Sequence, residues 1–213
     1  MTKDILPQFP LKLVVFPEEQ LNLHIFEPRY KQLIGECAES GNTFGIPAFL
    51  NNRIMDVGTE VRMKEIVKKY PNGEMDIKTE GLGIYKIDDF HFDFGNRLYS
   101  AATISKIATN EEGNASMYDD IAEKVKRLFK LLKITYKFPD APNSLKTYHL
   151  AHHVGLTTEQ EYDLLCLPDE RQRQEFILEH LERLLPVVTE MERLRERVQL
   201  NGHFKNISPL DFK

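Results

Sequence analysis

The predominant hydrophobic periodicity of the chain changes at one polar stretch, and that change decides its architecture. Before Thr109-Asn110-Glu111-Glu112-Gly113-Asn114, apolar side chains recur mostly at every second position, the spacing of half-buried strands. Beyond it they recur at every third or fourth, the spacing of helices that bury one stripe. A run of strands followed by a run of helices implies an α+β fold rather than alternating βαβ units. The expected parts are a β-rich subdomain over 1–108, a linker over 109–114 and a helical subdomain over 115–213.

Phe9 to Phe16 is an apolar stretch rich in branched residues, with Pro10 near its start and Pro17 at its end. Leu21, Leu23 and Ile25 alternate with Asn22 and His24. Pro28 then suits the first position of a helix, where a missing N–H costs nothing. Tyr30, Leu33, Ile34 and Cys37 lie on one face of that helix, and Gly41 closes it. Phe44 to Leu50 reads as a strand. Val57 to Tyr70 alternates, with Val61, Met63, Glu65 and Val67 on one face. Pro71-Asn72-Gly73 is a turn, and Met75, Ile77 and Thr79 resume the alternation. Ile84 to Phe90 and Tyr99 to Ile107 bring the total to about six strands around one short helix, which suggests a closed or nearly closed barrel.

The second half carries stripes at helical spacing. Ile121, Val125, Leu128, Phe129 and Leu132 form the first. After a loop over Phe138 to Pro142, Asn143 or Ser144 suits the cap of a helix from Leu145 to Val154. Thr157 or Thr158 suits the next cap, with Glu161 placed for a capping box behind Thr158. The last helix is long, from about Pro168 to Val198, and repeats Ile177, Leu181, Leu184, Val188, Met191 and Val198. Pro186 should bend or break it.

Several chemistries are disfavoured. The net charge of -5 opposes non-specific nucleic-acid binding, which needs a positive field against phosphates. No GxxxxGK[ST] or GxGxxG loop is present to cradle phosphates, and no GxSxG offers a serine on a sharp turn. Cys37 and Cys166 sit among apolar neighbours, without zinc spacing, and read as buried reduced thiols. His149, His152 and His153 share a helical face and could present imidazoles to one metal, but no intervening Glu makes an HExxH; the plainer reading is the rim of an amphipathic helix. The pairs Glu18-Glu19 and Asp88-Asp89 read as loop residues, and Lys64, Lys68 and Lys69 as exposed strand residues. The N-terminus lacks the basic start and apolar run of a signal peptide, and no segment reaches the ~20 apolar residues of a membrane span, so the expectation is a cytoplasmic protein with no membrane contact.

One stretch is specific enough to compare with a known family. Phe9-Pro10-Leu11, Val15-Phe16-Pro17 and Leu21 followed by Leu23-His24-Ile25-Phe26-Glu27-Pro28-Arg29-Tyr30 resemble the opening of the Lon protease N-terminal, substrate-binding domain. Phe44-Gly45-Ile46, Val57-Gly58-Thr59 and Gly81-Leu82-Gly83-Ile84-Tyr85-Lys86-Ile87 fit its later strands. The resemblance is close over residues 5 to 107 and looser beyond. Glu18 stands where relatives often carry glycine, and Asn22 where they often carry proline. The resemblance implies a PUA-like pseudo-barrel of six strands with one short helix, then a helical bundle ending in the long last helix. In the motif, Phe26 and Tyr30 are expected to anchor the short helix against the barrel.

What it implies for function is a non-catalytic binding module without the ATPase and Ser-Lys peptidase of full Lon proteases. Its partners would be unfolded proteins or peptide segments of other proteins, with no nucleic acid, and a homo-oligomer is left open. No cofactor or metal is expected. The two other readings are an enzyme with an unrecognised hydrolytic site and an RNA-binding barrel. Arg29, Gln32 and Glu36 share the outward face of the first helix and are the expected protein-binding residues.

Overall fold

The computed structural model describes residues 4–135 and 146–204. Six strands come first: β1 (Asp4–Pro7), β2 (Gln20–Ile25), β3 (Phe44–Leu50), β4 (Arg53–Lys69), β5 (Met75–His91) and β6 (Ala101–Lys106). The helices are α1 (Pro28–Ser40), α2 (Ala115–Leu132), a 3₁₀ helix (Thr147–His153), α3 (Thr158–Leu165) and α4 (Glu170–Phe204). The α+β class follows directly.

Two compact units result, and they do not meet at a single cut near 109–114. The first unit takes residues 1–112 together with 146–170; the second takes 113–145 and 171–213. Segment 146–170 reads as helical yet belongs with the strands. The Tyr148 ring stacks on Phe16 at 5.0 Å, and the Tyr162 hydroxyl accepts a hydrogen bond from the Val57 amide at 3.2 Å. Helical periodicity shows that a stripe is buried, but not which surface covers it.

In the first unit the strands pair antiparallel in the order β1-β6-β5-β4-β3, and β2 lies on β5. The chain leaving β1 then runs beside β3. The Phe9 amide donates to the Gly45 carbonyl at 2.7 Å, and the Phe49 amide to the Leu11 carbonyl at 2.7 Å. These bonds join the two ends of the sheet and make the pseudo-barrel. Phe9–Phe16 is therefore not a regular strand. Its apolar content reflects burial of Phe9, Val14, Val15 and Phe16, while Pro10 contributes no ladder donor.

β4 and β5 form one long hairpin, closed where the Tyr70 amide donates to the Glu74 carbonyl at 2.9 Å. Gly73, at φ +78°, supplies the left-handed residue of the turn. β5 runs unbroken through Gly81-Leu82-Gly83, joining two segments that read as separate strands. β4 carries extra residues between Met63 and Glu65 and between Ile66 and Lys68, whereas opposite Glu60/Val61 the extra residue, Leu82, is on β5. Each extra residue reverses the in/out phase. Val67, expected on the same face as Val61, is consequently 56% exposed, and Ile66 packs on the core in its place.

α1 lays Tyr30, Leu33, Ile34 and Cys37 against Phe9, Phe44, Ile46, Val61 and Ile77. Tyr30 stacks on Phe9 with ring centroids 3.8 Å apart. Phe26, expected to share the anchoring, is 58% exposed; Phe9 takes its place. Gly41 ends the helix at φ +72°.

A second interior cluster forms around Tyr85, Leu6, Ala102 and Ile104. A Cβ on Gly45 would lie 2.2 Å from the Tyr85 hydroxyl, and one on Gly58 2.7 Å from it. Those two glycines make room for one buried phenol, so three separated pieces of the family-like sequence meet at one point.

In the second unit, Asn114 caps α2 by accepting from the Met117 amide at 3.1 Å, and its own amide donates to Gln174 at 2.7 Å. Lys124 on α2 pairs with Glu182 on α4 at 3.7 Å. Ile121, Val125, Leu128 and Phe129 are buried, as are Ile177, Leu181, Leu185 and Val188; Leu132, Met191 and Val198 are exposed. α4 runs through Pro186 without a break, one of the two outcomes expected there. Of the segment after α2, 136–145 lies outside the described residues, and with it the loop and the expected caps Asn143 and Ser144.

A candidate peptide-binding groove

The outward face of α1 is not a free rim. Arg29 is exposed, pairs with Glu27 at 2.7 Å, and places its guanidinium 4.5 Å from the Tyr30 ring centroid. Gln32 and Glu36, by contrast, are taken up by the connection between β5 and β6. Gln32 accepts from the Leu98 amide at 2.9 Å and donates to Glu36 at 3.0 Å. Glu36 accepts from the Tyr99 hydroxyl at 2.5 Å and from Arg97 Nε at 3.0 Å. These donors, Tyr99 foremost, hold the Glu36 carboxyl below the usual carboxylate range. Burial, reinforced by the bond to Glu36, pushes the Tyr99 phenol up to about 12.

The connection held in this way carries Phe92, which is 80% exposed, the most exposed of the large apolar side chains described. Its ring lies 4.8 Å from that of Phe90. Beside them opens a concavity of about 420 Å³, floored by Phe49, Ile54, Met55 and Ile87, with Asn52, Arg53 and Asp56 as its polar members. Local geometry accounts for the arrangement. Asn51 and Asn52 both have positive φ, at +49° and +62°. They make the tight turn that sets Phe49 opposite Ile54. In β5 the register slips between Ile87 and Asp89. The extra residue lets Ile87 and Phe90, three apart, face the same way; strict alternation would separate them. The bulge, invisible to alternation, is why sequence reasoning missed this groove.

Asp88 and Asp89, read as loop residues, lie in β5 at this bulge; Ser105 donates to Asp88 at 2.6 Å. Glu18 and Glu19 do lie on a turn, where Glu19 accepts from the Phe16 amide at 2.8 Å. Lys64, Lys68 and Lys69 are exposed on β4, and Lys64 pairs with Glu80 at 2.8 Å.

The three histidines do not converge. His152 is clamped between Glu161 at 2.7 Å and Glu19 at 3.3 Å. Those carboxylates, Glu161 first, raise its pKa to about 10, so the ring is protonated at neutral pH and has no lone pair for a metal. His149 approaches Glu18 at 3.8 Å. Among the described residues no group of His, Cys, Asp and Glu could hold a metal ion. Glu161 thus serves His152 rather than a capping box; Thr157 and Gln160 form the box of α3. Cys37 is buried and its thiol pushed up to about 11 by desolvation; Cys166 is only half-buried. A second concavity, of about 360 Å³, lies by His24, Val67 and Asp76. His24 bonds Asp76 at 2.7 Å, but no serine or cysteine lines that surface to act as a nucleophile.

A family model describing the ATP-dependent protease La (LON) substrate-binding domain matches residues 5–183. The chain belongs to this Lon substrate-binding domain family. The match runs well past the strands, as expected if 146–170 completes the barrel unit. A crystal structure of a Lon N-terminal domain protein from Xanthomonas campestris aligns with TM-score 0.66 at 22% identity, covering 82% of this chain and 97% of that one. The N-terminal domain of a Mycobacterium avium complex Lon protease aligns with TM-score 0.61 at 16% identity, covering 84% and 98%. Both share the Lon N-terminal fold. No curated protein matches the chain. No described helix is long and apolar enough to cross a membrane.

Proposed function

We propose that this chain is a non-catalytic module that binds extended apolar segments of unfolded or partner proteins in the groove flanked by Phe90 and Phe92. One observation carries the reading: Phe92 stands largely in water beside an apolar concavity. An exposed aromatic on such a surface is uncompensated in the free protein and gains on contact with a ligand. The apolar floor with a few polar members matches the anatomy of protein-binding surfaces, and Met55 adds an adaptable side chain. Membership of a substrate-binding domain family agrees with it. The groove lining offers no histidine, serine, threonine or cysteine for hydrolysis. An RNA-binding role is less well supported, since Lys64 and Lys78 are paired with Glu80 and Glu65 and the net charge is -5. Calorimetric titration with a peptide alternating Phe and Ser tests the proposal. Binding with a negative heat-capacity change is expected; no heat at any temperature would refute it.

A further inference from the structure

We infer that Gln32, Glu36 and Tyr99 act as a latch between α1 and the β5–β6 connection, setting the position of Phe92 and hence the affinity of the groove. The inference rests on the binding reading above and concerns its control. None of the three lines the groove.

The connection from Phe92 to Ser100 has little packing of its own at its outer part, where Phe92 and Leu98 are exposed. Its shape comes from four kinds of contact. Phe94 and Arg97 bridge at its tip, with the Arg97 amide donating to the Phe94 carbonyl at 3.3 Å and the guanidinium 4.9 Å from the Phe94 ring centroid. Tyr99 is buried in the core cluster, and its ring lies 6.3 Å from that of Phe94. A third set goes to one turn of α1. Leu98 N–H, Arg97 Nε and the Tyr99 hydroxyl converge on Gln32 and Glu36, which are themselves bonded to each other. Three successive residues are thus fixed by two side chains spaced four apart on a helix, the separation that puts both on one face. The other end of the connection is tied by Ser100, whose hydroxyl donates to the Phe92 carbonyl at 3.4 Å. A shift at Tyr99 is therefore passed to Phe92 across a short closed loop. Charge-assisted bonds of this kind are stronger than neutral ones and fix geometry as well as energy.

This chain has no tryptophan, so an F92W variant carries a single reporter of the wall. Glu36→Gln and Tyr99→Phe, each placed in the F92W chain, are expected to shift indole emission without ligand. In the parent, each is expected to weaken binding of the Phe/Ser peptide by about tenfold, the lower end of the scale of one lost charged hydrogen bond. In a Phe92→Ser background Glu36→Gln should have no further effect on binding. A purely structural role would lower the melting temperature and leave both emission and affinity unchanged, which would overturn the latch. If Phe92→Ser leaves peptide binding intact, the binding reading fails. The emission response to Glu36→Gln then decides the latch by itself: unchanged emission overturns it.

Discussion

The Tyr85 hydroxyl donates to Gln8 Oε1 at 2.6 Å, and both side chains are fully buried. Gln8 in turn donates to the Leu6 carbonyl at 3.0 Å. The pair ties β5 to the segment following β1 at the point where the sheet closes. Tyr85→Phe leaves a buried amide oxygen without its donor and should cost about 1–3 kcal/mol in urea unfolding. Gly45→Ala should cost more, because the new methyl would meet the phenol at 2.2 Å and the ring cannot retreat within a packed interior. A Gly45→Ala variant as stable as the parent would contradict this account of the closure.

His152 gives a pH signature. Its folded pKa, about 10, lies above the ordinary imidazole value of 6.5. A raised pKa contributes stability that is fully present below pH 6.5 and is lost as pH climbs towards 10. The difference in melting temperature between the parent and His152→Gln should therefore be largest at pH 6 and shrink through pH 10. A difference that does not vary with pH would sink the Glu161–His152–Glu19 clamp.

The 146–170 segment should be indispensable to the barrel. A chain cut after Glu112 keeps all six strands but loses Tyr148 from Phe16 and Tyr162 from Val57. It also loses the buried Leu150, Ala151, Val154, Leu164 and Leu165. We expect it to lack a cooperative thermal transition by near-ultraviolet circular dichroism. A sharp transition at the parent's temperature would show that the strands suffice.

Glu18 sits at φ +65°, a backbone region that costs an L-residue about 1–2 kcal/mol and that glycine enters freely. That explains why glycine suits this turn. Glu18 also meets Lys146 and His149. Exposed pairs of that sort contribute at most about 1 kcal/mol. Glu18→Gly should thus be neutral to mildly stabilising in urea unfolding, and a loss beyond about 1 kcal/mol would mean the ion pairs dominate.

The strand-then-helix order, the α1 stripe and the β4–β5 turn were legible because each is a local pattern. Phe9–Phe16 misled because burial alone can fill a segment with apolar residues without a ladder. Val67 and the Ile87/Phe90 face escaped because bulges reset the period, and nothing in the local composition marks them. Gln32 and Glu36 were read on the outward face of α1, but a helix read alone cannot show that Arg97, Leu98 and Tyr99 return to occupy it.

The central claim, that the Phe90–Phe92 groove binds apolar segments, has an internal control. Phe26 is exposed as well, but it is not among the residues that line the groove and stacks instead on His24. Fluorescence anisotropy of a labelled peptide alternating Phe and Ser should be measured against the parent, Phe92→Ser and Phe26→Ser. The account predicts about tenfold weaker binding for Phe92→Ser, the loss typical of an interface anchor, and unchanged binding for Phe26→Ser, with little change in melting temperature for either. Equal affinity for Phe92→Ser and the parent would contradict it.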